Sequence, residues 1–438
     1  MSPLALGLSI GLVTILVLAT GTPVAFALGL VAIGFLVAVE GPIALANLAD
    51  TLFAGLNDFT LVSIPMFVLM GAAVAASRAG ADLYEALARW LWRVPGNLVV
   101  ANIGACALFS ALTGSSPATC AAIGKMGIPE MRRRGFPADL ATGAIAAGGT
   151  LGILIPPSIT MILYGIASET SIGRLFLAGV VPGLMLTGLF ALWAVFVSLW
   201  RGERRPVGPG PSLAERLAIL PRVLPFLLVI VGVVWALYGG IATPSEAAGV
   251  GAVLCLLLVV LVYRVWRPRE LWPILEATIR ESTMILMIIA TSILFGYMLS
   301  SLYVTQSIAQ SIAALEVNRW VLLFWINLLL LVAGCFLPPA AIILMTTPIV
   351  LPILVAAGFD PVWFGVILTL NMELGLITPP VGLNLFVING IAPDVPLGTV
   401  LKGALPFMLL MVVAIVILCL FPGLATWLPD QLMGPRVG

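Results

Sequence analysis

The chain has 438 residues, of which 61% are hydrophobic and 9% are charged; its formal net charge is +1 and it contains no histidine. This composition cannot supply the polar surface of a water-soluble protein, and it predicts a protein that crosses a membrane many times. Apolar windows of about 20 residues, the length that spans a hydrocarbon core, recur along the whole chain. The sequence leaves no room for a soluble domain, and the lack of a dense basic run argues against nucleic-acid binding.

Ten apolar segments, taken in chain order, predict membrane spans. The first, from Leu4 to Ala19, has no basic stretch ahead of it and leads into another apolar run, so we expect a retained span rather than a cleaved signal peptide. The most polar stretch, Arg201 to Arg222, is rich in proline and glycine and separates two sets of five spans. The predicted spans lie near 4–20, 22–39, 51–76, 138–167 and 174–200, and near 223–240, 244–263, 282–300, 362–388 and 403–427.

The two halves of the chain repeat each other. At an offset of 223 residues, Leu151-Gly152 matches Leu374-Gly375, and Pro156-Pro157 matches Pro379-Pro380, without a gap. Prolines and glycines in fixed register are not explained by general apolarity, because both residue types weaken a helix interior. The sequence therefore predicts a first repeat over 1–200, a linker over 201–222 and a second repeat over 223–438.

The basic residues indicate that the two repeats are inverted in the membrane. Lysine and arginine collect on the cytoplasmic side of membrane proteins. Arg132-Arg133-Arg134 marks a loop of the first repeat, whereas the matching loop of the second, Val355-Ala356-Ala357, has no cation. An odd number of spans before the linker also inverts the second repeat, which places both chain termini outside. Inverted repeats are typical of alternating-access transporters.

Two further apolar segments, 97–131 and 319–355, are interrupted midway and predict re-entrant hairpins. Their interruptions are TGSSP at 113–117 and GCFLPP at 334–339. Irregular backbone at membrane depth is tolerated only where protein covers it or where it lines a polar cavity. We therefore expect both hairpin tips to meet polar groups.

Each half also contains a predicted helix with charges and tryptophans, at 82–93 and at 269–281. Tryptophan beside arginine suits the headgroup level of a bilayer. A lateral arm that braces a moving unit and a plain interfacial connector both fit this pattern.

The paired prolines predict that the spans 138–167 and 362–388 are each split in two. A proline removes one helical hydrogen bond and collides with the carbonyl one turn back, so two in succession break the helix. The freed carbonyl oxygens suit Na⁺, and the N–H end of the following half-helix suits a carboxylate. A pair of kinks that serve only packing is the alternative interpretation.

Hydroxyl side chains cluster at the first hairpin tip. Thr113, Ser115 and Ser116 could coordinate a hard cation or hydrogen-bond an oxyanion. Capping of the second hairpin helix is the structural alternative, and one hydroxyl can serve both roles.

A second polar cluster surrounds the break at Pro379-Pro380. Glu373 is a rare carboxylate inside a predicted span, and such a residue is a functional candidate by default. It is either a coupling residue or a hydrogen-bonded partner of a hairpin. Asn371, Thr378 and Asn384 supply further polar atoms around this break.

The motifs GSSPAT, RRRGF, GGTLGILIPPS and ITPPVGLNLFV, in this order and spacing, make the chain resemble the large membrane subunit of TRAP transporters, the DctM family. The resemblance covers essentially the whole chain. It implies a secondary transporter rather than an enzyme, which uses a Na⁺ gradient and no organic cofactor to import a small organic acid, of the C4-dicarboxylate, sialic acid or 2-oxo acid type, across a bacterial cytoplasmic membrane. It also implies a periplasmic binding protein, a separate small four-helix membrane subunit and an elevator-like movement.

The resemblance further implies site residues, position by position. One Na⁺ site would use Thr113, Ser115, Gly152, Ile155 and Pro157. The other would use Gly334, Gly375, Thr378 and Pro380. The substrate would lie between Ser115-Ser116 and Pro338-Pro339, with Glu373 and Asn371 as coupling candidates.

Three alternatives remain open at the level of sequence. A stand-alone Na⁺-coupled anion symporter would share the hairpins and broken helices but would need no binding protein. An intramembrane hydrolase could use Ser115 or Ser116 as a nucleophile, although the chain has no histidine to activate it. A passive channel would carry a flux that no Na⁺ gradient could drive uphill.

Overall fold

The computed structural model describes residues 2–201, 210–314 and 317–434, and within them all regular structure is helical. The predicted all-α class is confirmed. Helices α1 to α10 are Pro3–Ala19, Val24–Glu40, Leu48–Leu56, Ser63–Ala75, Ala79–Trp90, Asn97–Thr113, Ser116–Arg133, Ala138–Gly149, Ile159–Ala167 and Ile172–Trp200. Helices α11 to α21 are Leu213–Ala218, Leu220–Tyr238, Pro244–Leu257, Pro268–Ser301, Val304–Ala314, Arg319–Gly334, Pro339–Ala356, Pro361–Leu376, Leu383–Ile391, Leu397–Leu420 and Gly423–Met433.

Six helices of the described residues are long and apolar enough to cross a membrane: α10, α12, α13 with its π-helical extension, α14, α17 and α20. A bent pair of segments, Pro42–Leu56 and Phe59–Ala75, raises the number to seven if it counts as one span. Shorter apolar helices of 16 or 17 residues, namely α1, α2, α6, α16 and α18, accompany them. The chain is therefore a multi-pass membrane protein.

The third predicted span is not one straight helix. Its two segments meet at an angle of 60° around Asn57 and Asp58. The Asp58 carboxylate accepts the Thr60 N–H at 2.8 Å and starts a new helical turn there. Side-chain capping of this kind competes with helix continuation, which explains the bend.

The prediction of a separate helix over 269–281 is wrong. Helix α14 runs without interruption through 34 residues, from Pro268 to Ser301. Its two prolines, Pro268 and Pro273, lie near its start, where a missing N–H costs little, and no proline follows to stop it. The corresponding helix of the first half, α5, is separate from α4 because Ser77 accepts the Ala79 N–H at 3.1 Å between them.

Both predicted hairpin segments form helix–turn–helix units. Helices α6 and α7 meet at Gly114, whose φ of +57° is a conformation that side chains with a Cβ rarely adopt. Helices α16 and α17 meet at the stretch between Gly334 and Pro339, and Pro339 occupies the first position of α17. We call these units the first and the second hairpin.

Both predicted helix breaks occur at the paired prolines. Helix α8 ends at Gly149, passes through a 3₁₀ turn over Thr150–Ile153, and α9 begins only at Ile159. Helix α18 ends at Leu376 and α19 begins at Leu383. We call the stretches 150–158 and 377–382 the first and the second break.

The two halves of the chain share one large core. Helix α8 crosses α20 with their backbones in contact, since a Cβ on Gly403 would lie 1.8 Å from the Asp139 carbonyl oxygen. Small residues at such crossings let membrane helices approach closely. The rings of Phe190 and Phe407 pack edge to face beside this crossing, with centroids 5.2 Å apart. A smaller apolar cluster joins α1 and α2 to the end of α14.

Candidate functional site

The tip of the first hairpin lies directly on the first break, and we call this contact the first junction. A Cβ on Gly152 would lie 2.7 Å from the Ser115 carbonyl oxygen, so only glycine permits this approach. A Cβ on Gly114 would lie 3.0 Å from the Pro157 carbonyl oxygen. A backbone oxygen on each side of the contact thus lies close to the glycine of the opposite side.

Hydroxyl groups line the first junction. Thr113 Oγ1 lies 2.9 Å from Thr119 Oγ1, and Thr119 in turn donates to the Ser115 carbonyl at 2.9 Å. Across the break, Ser158 Oγ donates to the Ile153 carbonyl at 2.5 Å and lies 2.8 Å from Thr160 Oγ1. Hydroxyl and carbonyl oxygens are the neutral ligands that a hard cation takes in proteins.

The second hairpin meets the second break in the same way, and we call this contact the second junction. A Cβ on Gly375 would lie 2.7 Å from the Gly334 carbonyl carbon. The Val381 N–H donates to the Cys335 carbonyl at 3.2 Å and ties the break to the hairpin. Thr378 donates its hydroxyl hydrogen to the Leu374 carbonyl at 2.6 Å.

The prolines leave carbonyl groups at both breaks without their helical donors. Pro156 and Pro379 have no N–H to give to the carbonyls four residues earlier, those of Gly152 and Gly375. The Gly375 carbonyl still accepts the Thr378 N–H at 3.1 Å. At each break the first proline therefore removes the helical donor of the glycine carbonyl that lies beside a hairpin tip.

Glu373 connects the first junction to the helix that enters the second break. Its side chain is fully buried, and its Oε1 accepts the Ser116 hydroxyl at 2.6 Å and the Ile153 N–H at 3.1 Å. Its other oxygen, Oε2, is buried and has no hydrogen-bond partner among the described residues. Because Gly375 follows two residues later, Glu373 links the first hairpin, the first break and the second junction.

Asparagine side chains make two further links. Asn371 Nδ2 donates to both the carbonyl and the Oδ1 of Asn327 at 2.8 Å, which joins α18 to the second hairpin. Asn384 Nδ2 donates to the Ala146 carbonyl at 3.3 Å, which joins α19 to α8. The Oδ1 atoms of Asn371 and Asn384 are buried without a partner among the described residues.

The structure brings the predicted Na⁺ residues together in two groups. Thr113, Ser115, Gly152 and Pro157 meet at the first junction, with Ile155 one residue before the paired prolines. Gly334, Gly375 and Thr378 meet at the second, next to Pro380. The predicted Na⁺ residues thus lie in two groups, one at each junction.

The predicted substrate residues differ in accessibility. Ser116 is fully buried, and its hydroxyl is engaged by Glu373. Ser115 lines a cavity of about 270 Å³ beside the tip. Pro338 is exposed and Pro339 is half-buried at the start of α17. Ser115 is therefore the better placed of the two serines for contact with a ligand.

Sequence reasoning missed two polar residues near the junctions. Asn327, inside the second hairpin, is the hydrogen-bond partner of Asn371. An isolated amide side chain in an otherwise apolar helix is the feature of the sequence that could have identified it. Glu281 lines the same cavity as Ser115, although the sequence placed it at the end of an interfacial helix. Because α14 continues without a break, which no local motif predicts, Glu281 lies beside the tip of the first hairpin.

The junctions lack the groups of an ordinary metal centre. Within the described ranges, no cluster of three or more Cys, Asp or Glu residues is positioned to hold a metal ion. Neither lysine nor arginine lines the cavity beside the first tip. A ligand at these junctions is met by carbonyls, hydroxyls and single carboxylates.

Comparison with known proteins gives matches along nearly the whole chain. A sequence model described as "Tripartite ATP-independent periplasmic transporter, DctM component" matches residues 12–424. The chain is 40% identical over 391 residues to the C4-dicarboxylate TRAP transporter large permease protein DctM of Pseudomonas aeruginosa, which covers 89% of this chain and 91% of that protein. It is 32% identical to the sialic acid TRAP transporter large permease protein SiaM of Vibrio cholerae, with coverage of 94% and 96%.

A solved structure has a similar fold. The Alcanivorax borkumensis YdaH transporter superposes with a TM-score of 0.65 over 91% of each chain, at 16% sequence identity. This likeness concerns the fold alone. The sequence matches confirm the predicted resemblance: the chain belongs to the DctM family of TRAP transporter large permease proteins.

Proposed function

We propose that this chain imports a small organic acid by Na⁺-coupled secondary transport. The observation that carries the proposal is the paired glycine contact: Gly152 on the first hairpin tip and Gly375 on the second. Each contact gathers backbone carbonyls and hydroxyls where a broken helix meets a hairpin, which is the kind of place where membrane transporters bind coupling ions.

The first Na⁺ would be held by oxygens of Thr113, Ser115, Gly152, Ile155 and Pro157. The second would be held by oxygens of Gly334, Gly375, Thr378 and Pro380. Neutral oxygens suit Na⁺ because they replace the water oxygens of its hydration shell, and a monovalent ion needs few or no anionic ligands to balance its charge. Glu373 and Asn371 would couple the two sites, since they join the hairpins to α18.

The substrate would lie between the tips at Ser115-Ser116 and Pro338-Pro339. Helices α7 and α17 begin at these tips, and a helix N-terminus offers unsatisfied N–H groups to an anion. Relatives are named for C4-dicarboxylate, sialic acid and isethionate, all of which carry an acidic group. An acid of the C4-dicarboxylate, sialic acid or 2-oxo acid type is the substrate we propose.

The proposed cycle follows an elevator-like alternating access between two inverted repeats in a bacterial cytoplasmic membrane. The matched family is described as tripartite, which supports a small four-helix membrane subunit and a periplasmic substrate-binding protein as partners. One relative is named as a joined DctMQ permease, consistent with a membrane subunit that works beside this chain.

Uptake by proteoliposomes tests this function. The chain would be reconstituted with its small membrane subunit and supplied with radiolabelled C4-dicarboxylates, sialic acid and 2-oxo acids, each with and without an inward Na⁺ gradient and the binding protein. We expect accumulation only when both are present. Accumulation with Na⁺ but without the binding protein would identify a stand-alone symporter instead, and flux that Na⁺ cannot drive uphill would identify a channel.

A further inference from the structure

A cavity of about 270 Å³ opens beside the first hairpin tip, between α4, the tip and α14. Thr113 and Ser115 line it from the tip. The α4 wall consists of small and apolar residues, and it presses on the tip so closely that a Cβ on Gly71 would lie 2.7 Å from the Thr113 carbonyl oxygen. Within the described part of the chain, Glu281 of α14 is the only charged residue in the lining.

The Glu281 carboxylate is half-buried and makes no hydrogen bond or salt bridge with any described residue. Its neighbour on the same helix, Glu276, instead lies at the exposed surface, 3.2 Å from Arg280. Partial burial of a carboxylate among mostly apolar residues without a protein partner is unfavourable, and a bound cation reduces that cost. Glu276 and Glu281 are thus in opposite situations.

From this geometry we propose that the cavity is a cation-binding antechamber, in which the Glu281 carboxylate holds Na⁺ on its way between the aqueous side and the ligands Thr113 and Ser115. The inference rests on the proposed Na⁺-coupled function and extends it to a residue outside the two junctions. A single carboxylate with neutral hydroxyls matches one positive charge, whereas divalent ions are usually held by more acidic oxygens.

The same charge keeps the organic acid out of the antechamber. A carboxylate substrate would meet Glu281 in a small apolar space, where like charges repel strongly. Ion and substrate would therefore reach the first tip by different routes.

The test compares Glu281→Gln with Glu276→Gln in the reconstituted complex. We expect Glu281→Gln to raise the Na⁺ concentration for half-maximal uptake by about tenfold, because the variant lacks the charge that gathers the ion. The KM for the acid at saturating Na⁺ should stay at the parent value. Glu276→Gln should leave both quantities unchanged, since an exposed ion pair contributes little.

Equilibrium binding of ²²Na⁺ to the purified complex in nanodiscs, without substrate, provides a second readout. Glu281→Gln should weaken binding, whereas Glu281→Asp, which keeps the charge, should bind Na⁺ within about threefold of the parent. Parent-like Na⁺ dependence in Glu281→Gln would overturn the antechamber, as would equal damage by Asp and Gln. A parent complex whose uptake ignores Na⁺ would instead refute the proposed function itself.

Discussion

The two junctions contain the same motif, a glycine followed by paired prolines, but lie in different surroundings. Pro156 and Pro157 are buried at the first, whereas Pro379 and Pro380 are exposed at the second. The first has hydroxyl contacts both on the hairpin tip and across the break, while the second is tied to its hairpin by the backbone hydrogen bond from Val381 to Cys335. The repeated motif thus determines where each helix breaks, whereas the surrounding helices determine how deeply the break is buried.

The covering helices explain the difference. Helix α4 packs on the first tip through Gly71. The first hairpin helix, α6, is buried over most of its surface, whereas α16 of the second hairpin exposes Phe324 and Trp325 by 60% and 61%. We therefore expect the first junction to hold the proposed Na⁺ more firmly and the second to open more readily.

The largest effect should come from cutting the link between the junctions. Glu373→Leu removes the acceptor of the Ser116 hydroxyl and the Ile153 N–H, and each buried donor left without a partner costs roughly 1–3 kcal/mol. We expect uptake to fall by roughly 100-fold and the Tm of the purified complex to drop. Initial uptake rates and thermal unfolding followed by fluorescence measure the two quantities.

Glu373→Gln is the matched control for this link. Its side-chain carbonyl can still accept both hydrogen bonds, so we expect a Tm close to that of the parent. Parent-like transport by Glu373→Leu would show that the two junctions work without this bridge.

The glycine contacts themselves should be almost as sensitive. Gly152→Ala and Gly375→Ala each place a Cβ 2.7 Å from backbone atoms of a hairpin tip, at Ser115 and Gly334 respectively. Such overpacking costs about 1–3 kcal/mol, so we expect the Na⁺ concentration for half-maximal uptake to rise by about tenfold. Gly152→Ala should be the more damaging, because the buried first junction has less room to yield.

Gly188→Ala, on α10, controls for the substitution type because, apart from its own stretch of helix, no atom lies within 4 Å of the added methyl group. It should transport like the parent. Equal tolerance of alanine at 152 and 188 would mean that the hairpin tip is not pressed against the first break as the structure has it.

The elements that the sequence predicted well are those set by local chemistry. Paired prolines in a helix interior break it, so both breaks occur at Pro156-Pro157 and Pro379-Pro380. The turns between α6 and α7 and between α16 and α17 likewise lie where small residues and prolines interrupt the apolar runs.

The features that the sequence did not predict depend on the tertiary surroundings. No motif distinguishes the buried first break from the exposed second one, since the covering helices lie far away along the chain. The bend at Asp58 and the unbroken course of α14 were also missed, and with α14 the place of Glu281 beside the first tip. Single polar residues in apolar helices are informative only once their partners are known.

Loss of one hydroxyl should separate the junctions on a finer scale. Thr113→Ala should raise the Na⁺ concentration for half-maximal uptake by about fivefold, and Thr378→Ala by about twofold, since one hydrogen bond or ligand contributes about 1 kcal/mol. Thr113 should matter more because its hydroxyl also contacts Thr119 at 2.9 Å. Thr113→Ser, which keeps the hydroxyl, should behave like the parent; the opposite order of the two alanine variants would reverse the proposed ranking of the junctions.

The smallest effect concerns a surface link between the two halves, from Arg132 at the end of the first hairpin to Asp394 in the loop after α19. Their side chains lie 2.6 Å apart, and the hydrogen bond from Arg132 holds the pKa of the Asp394 carboxyl below its usual range. A lowered pKa means that the contribution to stability is present above the ordinary Asp value of about 3.9 and is lost as the pH falls through the folded-state value. Asp394→Asn should therefore lower the Tm slightly at neutral pH and not at all in acid, because both proteins then lack the charge. A Tm difference that persists unchanged in acid would assign the effect to packing of the loop. The ion pair between Arg132 and Asp394 would then contribute nothing to the contact between the two halves.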